Sequence, residues 1–69
     1  MKTYQAVIER AGRRIYDAYM GGAYDYHNVV PCSEIAFIYE KTVDEVNADC
    51  EQAFEMIRDI EYERTRYAS

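Results

Sequence analysis

Leucine and tryptophan are absent from this 69-residue sequence, proline occurs once, glycine three times and cysteine twice. Each shortage excludes something. Two cysteines, Cys32 and Cys50, are too few for the disulfide framework of a small secreted domain, so reduced thiols and a cytoplasmic setting are expected. Three glycines do not make a phosphate-cradling loop, and no serine stands in a nucleophile elbow. With His27 the only histidine and no paired CxxC or HxxxH, the four close ligands of a structural zinc site are missing, and no cofactor is expected. No apolar run approaches the roughly 18 residues that span a bilayer. Residues 1–20 carry Lys2, Glu9, Arg10, Arg13, Arg14 and Asp17 where a signal peptide would have its apolar core. Val, Ile and Phe supply only thirteen residues, roughly a fifth of the chain, at the edge of the disorder-prone range. The eight tyrosines must therefore build much of the core. Such a chain makes one domain, residues 1–69, that buries only about 60% of its unfolded surface and is marginal or leans on a partner.

What is present is helical periodicity, and it predicts an all-α domain of three helices near 3–20, 33–41 and 43–65. In the first, Tyr4, Ile8, Ala11, Ile15 and Ala18 recur at spacings of four and three, widened by Val7 and Tyr19. Gly12 costs that helix about 1 kcal/mol against Ala, which points to a close crossing by another helix. Gly21-Gly22 ends it. Residues 23–31 have no helical period and read as an ordered loop pinned by Tyr24, Tyr26 and Val29. Pro31 then clears the way for a second helix with Ser33 as N-cap and Glu34 at the positive end of its dipole. The apolar run Ile35 to Tyr39 favours helix over strand, because a lone strand has nothing to pair with. Thr42 and Glu45 form a capping-box pattern. Behind them Val43, Val46, Cys50, Ala53, Ile57 and Ile60 make a stripe, with Phe54 beside it. A helix from Val43 to about Arg64 would be roughly 33 Å long, so its last turns project or pack on the first helix.

Catalysis finds little support in the residues. Cys32 near a helix start has the position for a lowered pKa, but His27 is its only candidate base, at an unspecific spacing. The abundant carboxylates lie on helix faces with no pocket to raise a pKa, so the chain reads as a non-enzyme. Residues 35–46, from Ile35-Ala36 through Thr42 to Val46, resemble a helix-turn-helix, except that Glu40 stands where the turn usually has Gly. The would-be recognition helix carries Asp44, Glu45, Asp49 and Glu51 and no base before Arg58, so phosphates would be repelled. The pattern is a packing geometry, and no direct contact with nucleic acid is expected.

Charge distribution carries the functional reading. The formal net charge is −5, and between Glu34 and Glu63 ten acids stand against two bases. A solvated helix face is one explanation. The other is that Asp44, Glu45, Asp49, Glu51, Glu55 and Asp59 imitate nucleic-acid phosphates and meet a basic groove on another protein, with Tyr24 and Tyr26 at the rim. A very small, acidic, Tyr-rich helical chain of this kind resembles, in type, the phage-encoded inhibitors called anti-CRISPR proteins. That resemblance implies a protein partner in the host cytoplasm, a CRISPR effector or similar nucleic-acid-binding defence complex, and no membrane. The alternative is a self-associating helix-turn-helix-like regulator or adaptor with the third helix as its dimer seam. The inhibitor reading allows a monomer, and the adaptor reading requires a homodimer.

Overall fold

The computed structural model describes residues 2–68, with side chains as far as Arg66. Three α-helices follow one another, α1 (Tyr4–Met20), α2 (Cys32–Ile38) and α3 (Val43–Ala68), with one turn of 3-10 helix at Tyr26–Asn28. Among the described residues there is no strand, and the domain is all-α with a long C-terminal helix. Met1, Ser69 and the Tyr67 side chain lie outside the described residues.

Local chemistry sets each boundary. The Thr3 hydroxyl accepts the Ala6 N–H at 3.2 Å and starts α1. At its other end Gly22 takes φ +82, while Ala23 N–H donates to the Ala18 carbonyl (3.0 Å) and Gly22 N–H to that of Tyr19 (3.2 Å). This is a Schellman ending. Helix α2 closes in the same way, Lys41 N–H reaching the Ala36 carbonyl at 2.9 Å, with Glu40 at φ 56 in the left-handed position. It therefore stops at Ile38, three residues before the expected end. It also begins at Cys32, not at a Ser33 N-cap: the Pro31 carbonyl accepts the Ile35 N–H at 3.2 Å, and that bond places Ser33 inside the first turn. The Thr42 hydroxyl accepts the Glu45 N–H at 3.1 Å and caps α3 as expected. With no Gly or Pro to stop it, α3 runs on past residue 65, and its 26 residues give a length of about 39 Å that accounts for the 43 Å long dimension of the molecule.

Helix α3 is the element against which the others pack. Its buried line is Val46 (0% exposed), Cys50 and Phe54, at a spacing of four, facing Ile8, Ala11 and Ile15 of α1 and Ile35 and Ala36 of α2. The stripe read from the sequence is corrected at both ends, since Val43 (44%) and Ile60 (59%) are exposed. The helices touch at Gly12, where an added Cβ would lie 2.6 Å from the Ala53 Cβ and 2.9 Å from its carbonyl carbon. The predicted close crossing is there, and it leaves the ends of α3 uncovered.

Tyrosines take the place of the missing leucines. The Tyr4 hydroxyl donates to Asp49 at 2.6 Å, its ring packs on Tyr39 at 5.6 Å, and the Lys41 ammonium sits 4.9 Å from its centre. The Tyr39 hydroxyl donates to the Lys2 carbonyl at 2.6 Å, so the start of α1, the end of α2 and the start of α3 are tied together. Tyr19 and Tyr26 pack edge-on to each other at 5.1 Å and both against Phe54. The loop is pinned by Tyr26, Val29 and the buried Val30, whereas Tyr24 is fully exposed and pins nothing.

Candidate functional site

Helix α3 presents most of the carboxylates to solvent. Asp44 and Glu45 lie exposed in its first turn, where the partial positive charge of the helix N-terminus favours acids. Glu51, Glu55 and Asp59 follow at a spacing of four, all exposed, and Glu63 extends the row by one more turn. Residues so spaced are neighbours on one face, about 6 Å apart along the axis. Among the described residues no cation pairs with Glu51, Glu55 or Glu63, and Asp59 meets the Arg58 guanidinium only at 4.0 Å. The nearby bases are engaged elsewhere: Arg13 with Asp17 (3.3 Å) and Glu61 (3.5 Å), Arg64 with Glu61 (3.7 Å), and Arg58 over the Phe54 ring. Like charges at this spacing each destabilise a helix by about 0.2–0.5 kcal/mol. The row is thus an acidic ridge with a single, long contact to a base among the described residues.

Two of the predicted residues belong elsewhere. Asp49 is half-buried on the flank of α3 facing α1, holding the Tyr4 hydroxyl, so it is part of the packing and not of the open ridge. That contact and burial hold the Tyr4 phenol well above its ordinary pKa, burial being the larger cause. Tyr26 is turned inward against Tyr19 and Phe54 and offers only part of its ring. Tyr24 remains fully available. Sequence reasoning missed Glu63, although the repeat Glu51, Glu55, Asp59, Glu63 stands in the sequence. It also missed the exposure of Phe37 (87%) and Ile38 (53%), which their place in an apolar run conceals.

The two thiols come together beneath the ridge. A small cavity of about 220 Å³ is lined by Ile15, His27, Cys32, Asn47, Cys50 and Glu51. Both cysteines are free, Cys32 half-buried and Cys50 buried. Burial, reinforced by the neighbouring Cys32, pushes the Cys50 thiol up to about 12, which makes it a poor nucleophile at neutral pH. Among the described residues no group of three or more His, Cys, Asp or Glu side chains is placed to hold a metal ion. Nor is any described helix long and apolar enough to cross a membrane. No family model, curated protein or solved structure matches the chain.

Proposed function

We propose that the protein is a binding protein of the inhibitor type, which sets the acidic ridge of α3 against a basic, nucleic-acid-binding surface of another protein and so keeps nucleic acid out. A CRISPR effector or comparable defence complex is the partner that its likeness in type to anti-CRISPR proteins suggests. The observation that carries the reading is the row Glu51, Glu55, Asp59 and Glu63, in which among the described residues only Asp59 meets a base, Arg58 at 4.0 Å, and which is kept at a cost to the helix. The row runs over about 18 Å of helix, a carboxylate at every fourth residue. Such a field speeds association and fixes orientation, and the exposed Tyr62 on the same helix offers apolar area beside it.

The test uses purified RNA-guided effector complexes and fluorescent target DNA, with DNA binding followed by anisotropy as the protein is added. Wild-type protein is expected to displace DNA from the complex it targets, less well as salt rises. The triple variant Glu51→Lys, Glu55→Lys, Asp59→Lys avoids Asp49 and the core, and is expected to keep its helical circular dichroism while losing the competition. A folded triple variant that competes at the wild-type concentration overturns the proposal.

A further inference from the structure

The flank of α3 that faces α1 carries a second surface, separate from the acidic ridge. To one side of the Gly12–Ala53 contact, the two helices leave an open groove of about 390 Å³. Ile8, Ala53 and Ile57 form its floor, and Met56 and Ile60 stand along its α3 wall, each 59% exposed. From Asp49 to Ile60 the wall is about 16 Å long, three turns of helix. The charged groups that line the groove are both acidic, Glu9 on the α1 wall and Asp49 on the α3 wall, and Gln5 and Gln52 supply amides.

Those features fix the chemistry of an occupant. An apolar floor of three turns suits the apolar face of a helix, read at anchor positions i, i+3 or i+4, and i+7. Acidic walls suit basic edges on that helix. A second copy of this chain is the wrong partner, since its own α3 would bring carboxylates against Glu9 and Asp49. We propose that the groove receives an amphipathic helix of a partner protein, with aliphatic anchors on one face and Lys or Arg along its edges. The proposal goes beyond the ridge reading and stands without it, because none of the ridge carboxylates lines the groove.

A fluorescein-labelled synthetic helix of Leu and Lys, roughly 14 residues long, with Leu at the anchor positions, probes it, beside a matched peptide with Glu for every Lys. The full-length chain is titrated by anisotropy, and so are Met56→Gln/Ile60→Gln and the ridge triple variant. Both Gln changes are at exposed sites and leave the net charge as it is. The expected result is binding of the basic peptide alone, weakened roughly tenfold by the Gln pair and less by the ridge reversal. Equal affinity in wild type and the Gln pair reduces the binding to general electrostatics and overturns the proposal. So does light scattering that shows a wild-type dimer which the Gln pair dissociates, since the occupant is then a second copy.

Discussion

Gly12 shows how one residue decides the approach of two helices. In an isolated helix Gly12→Ala would gain about 1 kcal/mol. Here the added methyl meets the Ala53 Cβ at 2.6 Å, its carbonyl carbon at 2.9 Å and the Phe54 nitrogen at 3.0 Å, and backbone does not step aside cheaply. Overpacking of this kind costs about 1–3 kcal/mol, so the variant is expected to be less stable by about 1 kcal/mol despite its better propensity, as read by a lower urea midpoint. A rise in the midpoint would mean that the helices are not in contact at Gly12. Cys50 predicts a pH dependence. In the unfolded chain its thiol ionises near 9, whereas in the folded chain it holds its proton to about 12. Stability from this group is therefore whole below 9 and lost progressively as pH rises towards 12, the unfolded form giving up the proton first. Tyr4, also raised, adds to the fall at higher pH. Urea midpoints at several alkaline pH values should decline less steeply in Cys50→Ala than in wild type. Parallel slopes would show that Cys50 is not the titrating group.

At the scale of elements, helix ends were more legible in the sequence than helix faces. Thr42 and the Gly21-Gly22 pair each mark a boundary through a hydrogen bond or a backbone angle that depends on two or three neighbours, and the structure has both, whereas Ser33 lies inside the first turn of α2 and does not cap it. Faces depend on what lies across from them. Val43 and Ile60 fit the periodic stripe of α3 but stay exposed, Ile60 on the open wall of the groove, and Phe54 becomes central because Tyr19 and Tyr26 close over it. Tyrosine hides its own fate, since ring and hydroxyl suit core and surface alike: Tyr4 and Tyr39 serve the core through bonded hydroxyls, and Tyr24 serves nothing within the fold. Asp49 was misread for the same reason, its partner lying 45 residues away. The end of α2 joins these two levels. Glu40 departs from the usual glycine of a helix-turn-helix turn and nonetheless adopts φ 56, a conformation that costs a residue with a Cβ about 1–2 kcal/mol. Gly at this site relieves that strain and offsets part of the gain by a more flexible unfolded chain. Glu40→Gly is expected to raise stability by about 0.5–1 kcal/mol, as a higher thermal midpoint with an unchanged circular dichroism spectrum. No gain would mean that the left-handed turn is not kept in solution.

For the whole molecule, the distribution of charge sets folding and binding against each other. The ridge carboxylates lie about 6 Å apart, well inside a Debye length of about 30 Å at 0.01 M salt and outside one of about 3 Å at 1 M. Salt therefore screens repulsion along α3 and is expected to raise the melting temperature. The same screening weakens attraction to a basic partner. Stability and affinity should move in opposite directions along one salt series, which a ridge that merely keeps the chain soluble has no reason to produce. Glu55 sits at the centre of the row, with Glu51 and Asp59 as its i±4 neighbours. Glu55→Lys converts two repulsive pairs into two attractive ones and should stabilise α3 by about 1 kcal/mol at low salt, with the advantage fading as salt rises. It should also reduce displacement of DNA from the effector. If the variant melts no higher than wild type in low salt, the ridge is not under electrostatic strain. If it melts higher and inhibits as well as wild type, the acids exist for solubility and the inhibitor reading falls. A more stable but weaker inhibitor is the combination that only a ridge kept for binding predicts.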